Sequence, residues 1–390
     1  MSSEAIAKVK QAQAEGKVTA ETPINVKDWL SKDCVSEYHR RILEIIAAED
    51  WKMLDELFWT SIPFGTGGRR GPMGELGPAT INDRTIAESA HGLASYLRKS
   101  GVTTGGSAVV TCDTRNNSMH FARLTATTFA AHGLKVYLFE NHRSTPELSY
   151  AVRHLGCDIG VMISASHNPP ADNGFKAYWN TGAQVVPPHD KGIIKEVELA
   201  DVIPSIDYDE AIASGQIEIV GAAIDAAYIA EVVALSQTDK RDISAIFTPL
   251  HGVGETSIYQ VIKQCGFEGV EIFEAQRKPD GNFPNVPRHL PNPELLEVFD
   301  PAIKWIKENS HDADLILASD PDADRLGVMV RNSDGGFTPI SGNQTGALIT
   351  DYLLSKLKES GKLTPDHYVV ETLVTTPLVK AIADSYGAKA

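Results

Sequence analysis

Three carboxylates recur at every second position in Asp320-Pro321-Asp322-Ala323-Asp324-Arg325, directly after the apolar run Leu315 to Ala318. In an extended segment side chains alternate with period two, so Asp320, Asp322 and Asp324 are expected to point the same way. Converging carboxylates repel one another by roughly 1 to 4 kcal/mol per pair at 4 Å, depending on the effective dielectric, and the arrangement therefore calls for a cation. Hard oxygen donors select Mg²⁺ or Mn²⁺ over zinc. An EF-hand is excluded, because its sixth and twelfth positions need glycine and glutamate where this chain has Arg325 and Arg331. A solvated acidic loop is the plainer alternative.

The second candidate is Ser164-Ala165-Ser166-His167-Asn168-Pro169-Pro170, again directly after an apolar strand pattern, Asp158 to Ile163. Open α/β sheets place their sites at the carboxyl ends of parallel strands. A serine there, beside His167, suits a nucleophile or phosphate carrier, and a plain capped turn is the competing reading. The GxSxG elbow of acyl-transfer enzymes is absent. Downstream, Asn173-Gly174-Phe175-Lys176 reads as a turn that brings Lys176 towards Ser166. Phe64-Gly65-Thr66-Gly67-Gly68-Arg69-Arg70-Gly71 combines a glycine backbone able to form an anion nest with two guanidiniums suited to phosphate, or is a glycine-rich linker. It is neither a Walker loop nor a dinucleotide fingerprint. Cys112-Asp113-Thr114-Arg115 ends the first sheet strand and could place Arg115 at the same face, with a surface salt bridge as the blander reading. His251 is read as structural and left out of the site.

The elements that must position these residues follow from periodicity. Residues 1–60 carry apolar positions at three-to-four spacing (Val26, Trp29, Leu30, then Ile42, Ile45, Ile46, Leu54, Leu57, Phe58) and predict a helical N-terminal extension. Short β-branched runs then alternate with helices. Strands are expected at Ser107 to Thr111, Val136 to Phe139, Asp158 to Ile163, Ala245 to Thr248, Val270 to Phe273, Leu315 to Ala318 and His367 to Val370. Helices are expected at Phe121 to Ala131, Thr256 to Cys265, Glu294 to Glu308, Asn343 to Leu357 and Thr376 to Tyr386, and one behind a capping box of Ser144 and Glu147. This is an α/β chain of successive domains, each with a mostly parallel mixed sheet covered by helices. The expected division is 1–60, 61–238 with the serine motif, 239–340 with the carboxylate loop, and 341–390 as an incomplete third domain. Val369, Leu373, Leu378, Val379 and Ile382 would then lack the rest of a core.

With 36 Lys+Arg against 51 Asp+Glu the chain has a formal charge of −15, which disfavours nucleic acid as a partner. Hydrophobic residues at 42% and charged residues at 22% fit a globular protein rather than a disordered chain. No apolar stretch approaches the roughly 18 residues of a membrane span, no secretory signal is visible, and four scattered cysteines form no CxxC pair. A cytoplasmic location is expected.

From about Ile62 to its end the sequence resembles the α-D-phosphohexomutases, which include phosphoglucomutase and phosphomannomutase. Ser164 to Pro169 is similar to the phosphoserine motif, with Ser166 at the phosphorylated position. Asp320, Asp322 and Asp324 fall on the magnesium loop, followed by Arg325. Phe64 to Gly71 resembles the motif that carries an arginine, here Arg70, into the active site. Asp113, Arg115 and Ser118, the segment Thr248 to Gly254, and Pro279-Asp280-Gly281 continuing to Pro291-Asn292-Pro293-Glu294 match further landmarks, and the long helical N-terminus resembles the branch containing phosphopentomutases. The resemblance implies a phosphosugar mutase that interconverts hexose 1-phosphate and 6-phosphate, glucose foremost, with mannose and pentose phosphates as alternatives. Phospho-Ser166 would pass its phosphoryl group to a sugar hydroxyl by way of a sugar bisphosphate. Mg²⁺ on the three aspartates and a Ser166 phosphate oxygen, with Arg70 and Arg325, would stabilise the transferring group, and His167 or Lys176 would move the hydroxyl proton. The family's sugar-recognition loop and terminal phosphate-binding domain have no counterpart before Ala390, so a truncated chain is expected. A catalytically silent metal-binding fragment and a Mg²⁺-dependent phosphatase are the competing readings.

Overall fold

Residues near the N-terminus fold as helices because their apolar side chains recur every three to four positions, and only a helix gathers these on one face. The computed structural model describes residues 2–65, 67–102 and 105–390. Helices α1 (Ser2–Ala14), α2 (Thr22–Ser31), α3 (Ser36–Ala47) and α4 (Trp51–Phe58) bury Val9, Val26, Trp29, Ile42, Ile45, Ile46, Leu54 and Phe58 in one cluster with Leu76. Asp50 starts α4 by accepting the Met53 amide at 3.1 Å. No helix among the described residues is long and apolar enough to cross a membrane.

The chain forms two compact units, Met1–Tyr228 with Asp280–Asn282, and Ile229–Pro279 with Phe283–Ala390. In the first, the helical extension is followed by β1 (Gly68–Pro72), α5 (Asp83–Lys99), β2 (Ser107–Cys112), α6 (Ser118–Ala131), β3 (Lys135–Phe139), α7 (Thr145–His154), β4 (Ile159–Ile163), β5 (Asp172–Trp179), α8 (His189–Glu198), α9 (Tyr208–Ala213), β6 (Ile217–Val220) and α10 (Ala222–Val233). The sheet order is β1-β5-β4-β2-β3-β6, parallel from β4 to β6, with β5 and β1 antiparallel at one edge. Val110, Leu138, Val161 and Ile163 from the strands pack with Leu93, Phe121 and Phe129 from α5 and α6.

Two segments expected as loops are strands. Gly68–Pro72 pairs with β5, because at Gly68 a Cβ would lie 2.0 Å from the Phe175 carbonyl oxygen and only glycine permits that approach. Asn173 to Lys176 forms no turn, since Phe175 pairs with Ile163 and Lys176 with Met162 along β5.

The second unit contains β7 (Ala245–Thr248), α11 (Gln260–Gln264), β8 (Val270–Ile272), α12 (Asp300–Glu308), β9 (Leu315–Ser319), β10 (Leu326–Arg331), β11 (Phe337–Ile340), α13 (Gly342–Glu359) and α14 (Leu378–Tyr386). Its sheet order is β11-β10-β9-β7-β8, with β9, β7 and β8 parallel and β10 and β11 antiparallel. The helix expected from Thr256 is shorter, because Glu255–Tyr259 is a π turn that passes into α11. The one expected from Glu294 begins at Asp300, behind a 3₁₀ turn, with Pro301 in its first turn where no amide donor is needed. His367 to Val370 is not a strand; a single bridge joins Tyr368 to Lys389. Leu373 and Leu378 are exposed, whereas Val379 is buried and Val369 and Ile382 pack against Leu354, Ala383 and Ala388.

Ser144 caps α7, its hydroxyl accepting the Glu147 amide at 3.3 Å. The reciprocal half of the expected capping box is not made. The Glu147 carboxyl is instead fully buried beside Arg143, which also holds Asp225 through two bonds of 2.8 Å. Burial first, then Asp225, pushes the Glu147 carboxyl up to about 9. An unfolded glutamate titrates near 4.3. Between these values the folded chain keeps a proton that the unfolded chain has lost, so this group's contribution to stability falls as pH rises towards 9. Urea unfolding across this range should therefore show a shallower loss of stability in Glu147→Gln than in the parent. Equal pH slopes would contradict the buried, protonated state.

Candidate functional site

In the first unit all five residues of β4 are buried, and the chain leaves the sheet at Ser164. The Ser164 hydroxyl accepts the Ser166 amide at 2.7 Å. Ser166 has φ 54°, in the left-handed region that costs a non-glycine residue of order 1 kcal/mol or more, and such strain persists only when the surroundings over-determine it. Its Oγ lies 3.2 Å from His167 Nδ1.

Arg115, at the end of β2 beside β4, is what over-determines the turn. Its Nη2 donates to the carbonyls of Ser166 and Asn168 at 2.6 and 2.5 Å, and its Nη1 to those of Pro169 and Asp172 at 2.7 and 3.1 Å. Arg115 Nε is 3.3 Å from Asp113 Oδ2, and both side chains are fully buried. The other Asp113 oxygen accepts the Arg115 amide at 3.0 Å and the Ser118 hydroxyl at 2.8 Å, and Ser118 Oγ accepts Asn173 Nδ2 at 3.0 Å. The surface salt bridge considered for Cys112 to Arg115 is thus corrected to an interior one. The strand-end position expected to put Arg115 at this face does so, and what the spacing did not show is that its guanidinium binds the serine turn itself.

The two arginines of the glycine-rich segment part company because β1 alternates. Arg69 turns inward and donates from Nη1 to the Thr85 carbonyl at 3.0 Å and to Glu88 at 3.1 Å, while Arg70 is exposed opposite Gly174. The anion nest read across this segment gives way to strand pairing from Gly68 onward, and Thr66 lies outside the described residues. Lys176 is largely buried in β5, opposite Met162 on β4 and Gly68 on β1.

In the second unit β9 and β10 are antiparallel neighbours paired Ser319 to Leu326, and residues 320–325 connect them. The connection is a tight turn rather than the expected extended segment, with Ala323 at φ 55° and its amide donating to the Asp320 carbonyl at 2.9 Å. Asp320 Oδ1 accepts the amides of Asp324 and Arg325, both at 3.1 Å. The carboxylates of Asp320, Asp322 and Asp324 converge all the same, each offering an oxygen within 4.8 Å of the others. Asp320 and Asp322 are buried and Asp324 is exposed. Three hard oxygens at this spacing fit a divalent cation of the Mg²⁺ type. Behind the turn, the Val253 amide donates to the Pro321 carbonyl at 2.9 Å, and a Cβ on Gly252 would lie 2.4 Å from Pro321 Cα. His251 is held by the Lys278 carbonyl at 2.7 Å from Nδ1. Arg325 Nη1 donates to Glu294 at 3.0 Å.

The family model for phosphoglucomutase/phosphomannomutase alpha/beta/alpha domain I matches residues 61–202, and that for alpha/beta/alpha domain II matches residues 226–335. The serine turn lies in the first match and the carboxylate turn in the second. Human phosphopentomutase is 33% identical over 375 residues, covering 92% of this chain and 61% of that protein. A phosphoglucomutase of Staphylococcus epidermidis is 35% identical over 334 residues, covering 84% of this chain and 59% of that protein. The chain thus spans about three fifths of the length of the curated relatives it matches. The fold is shared with a phosphoglucomutase/phosphomannomutase family protein of Burkholderia thailandensis at a TM-score of 0.64 and 23% identity, over 85% of this chain and 65% of that one. With both family domains matched in order, this chain belongs to the α-D-phosphohexomutase family.

Proposed function

We propose that the chain serves phosphosugar mutation through phosphorylated Ser166, with glucose 1-phosphate and 6-phosphate as the foremost pair. The observation that carries this reading is Ser166 itself, a serine held in a left-handed turn at the end of β4 with His167 Nδ1 3.2 Å from its Oγ. Relatives named phosphopentomutase and phosphoglucomutase support the reaction class and leave hexose and pentose phosphates to be compared by assay. The parts that act are a serine segment within 61–238 and an acidic turn within 239–340, the division proposed from the sequence.

In the proposed reaction the bond between Ser166 Oγ and phosphorus breaks as a bond forms from phosphorus to a sugar hydroxyl oxygen. The hydroxyl proton passes to a base, for which His167 and Lys176 are the candidates, and the departing Ser166 Oγ takes up a proton in its place. The resulting sugar bisphosphate then returns its other phosphoryl group to Ser166. Asp320, Asp322 and Asp324 are the residues that would hold Mg²⁺. When bound, that ion supplies positive charge to offset the charge on the phosphoryl oxygens, the main source of catalysis in phosphoryl transfer. Arg70 and Arg325 would add charge-assisted hydrogen bonds to phosphate oxygens.

Incubation with ³²P-labelled glucose 1,6-bisphosphate and Mg²⁺ is expected to label the parent chain and leave Ser166→Ala, folded alike by circular dichroism, unlabelled. Equal labelling of the two would remove Ser166 from the mechanism. Asp322→Asn should weaken Mg²⁺ binding by about tenfold or more in calorimetric titration, since loss of even an outer group supporting a metal ligand costs about 10- to 100-fold. Glu308→Gln, an exposed residue at the end of α12 paired with Lys304 at 3.8 Å, should leave it unchanged. Unaltered affinity in Asp322→Asn would refute the acidic turn as the metal site.

A further inference from the structure

We infer that Arg115 is a positioning residue for Ser166: one buried guanidinium, bonded to four carbonyl groups of a single loop, fixes the backbone from which the serine hydroxyl projects. The inference rests on the phosphoserine reading above and goes beyond it, since Arg115 is assigned a role in transfer without touching sugar or phosphate. Four of its hydrogen bonds go to the carbonyls of Ser166, Asn168, Pro169 and Asp172, over distances of 2.5 to 3.1 Å. These carbonyls bracket the whole excursion between β4 and β5. Only a planar guanidinium presents several donors in a fixed fork; an ammonium has three donors at one point and cannot span this set.

The charge is matched locally. Asp113 Oδ2 stands 3.3 Å from Arg115 Nε, and Asp113 in turn is fixed by the Ser118 hydroxyl at 2.8 Å. Carbonyl oxygens gathered on one side of a turn repel each other, so a cation between them is needed for the turn to close. The closed turn holds Ser166 at φ 54° and directs its amide to Ser164 Oγ at 2.7 Å. Phosphoryl transfer depends on the in-line placement of the reacting oxygen, and a misplacement of about 1 Å costs roughly 100-fold in rate. Arg115 therefore acts on the transfer step and not on substrate affinity.

The test uses the whole chain with Arg115→Lys, read in two ways. Hydrogen exchange is expected to rise by about tenfold or more at the Ser166 and Asn168 amides while β4 keeps its protection, since local opening is independent of the sheet. Labelling by glucose 1,6-bisphosphate is expected to lose roughly 100-fold in maximal rate with the half-saturating concentration unchanged. Unchanged exchange in the turn overturns the proposal, as does a loosened turn with an undiminished maximal rate, or a change confined to the half-saturating concentration. If Arg115→Lys fails to fold, Asp113→Asn, which keeps the guanidinium and removes its buried counter-charge, is judged by the same readouts with smaller expected changes. If the parent chain takes no label at all, the phosphoserine reading fails, and hydrogen exchange alone decides whether Arg115 holds the turn.

Discussion

A serine cannot rest cheaply in the left-handed backbone region, and at Ser166 it does so because Arg115 draws the carbonyls of the turn onto one cation. Much else in the first unit serves that contact. Parallel pairing of β2 with β4 sets Cys112 beside Ile163, so that the chain segments beyond the two strand ends are brought together. Antiparallel β5 returns the chain so that the Asp172 carbonyl meets the same guanidinium. Asp113, Ser118 and Asn173 complete the network with side chains that are all buried, the condition under which hydrogen bonds to charged groups contribute most.

The acidic turn of the second unit obeys the opposite electrostatics. There the like charges are on the side chains, and the backbone is arranged to receive them: the Asp324 and Arg325 amides donate to Asp320, and Ala323 takes a positive φ so that the chain can fold back into β10. Gly252 and Gly254 permit the neighbouring loop to press against this turn, where a Cβ would meet Pro321 at 2.4 Å or Ser319 Oγ at 2.4 Å. The turn is thus shaped by contacts remote in sequence, although its ligand set is contiguous.

That distinction explains what was legible in the sequence. β2, β3, β4, β7 and β9 could be read to within a residue or two because their apolar β-branched runs are local signals, and the motifs that follow them could be placed at strand ends on that basis. The antiparallel strands escaped notice. β1 holds two glycines, two arginines and a proline, and β5 opens with Asp-Asn-Gly, residues that signal turns unless a partner strand supplies the pairing. The convergence of the aspartates was foreseen, but through extended geometry instead of a turn. Arg115 could be placed at this face but its partners could not be read, because they lie 51 to 57 residues away, beyond any spacing rule. Family resemblance reached it as a landmark without saying what it holds.

The central claim is that Ser166 carries a phosphoryl group and gives it to a sugar. Its most direct measurement is a single turnover followed by ³¹P NMR, in which the chain phosphorylated on Ser166 is mixed with one equivalent of glucose 1-phosphate and Mg²⁺. The account predicts that the phosphoserine resonance decays as resonances of glucose 1,6-bisphosphate grow in equal amount. Decay accompanied by inorganic phosphate would make the chain a phosphatase, and a phosphoserine signal that persists in the presence of the sugar would contradict the account.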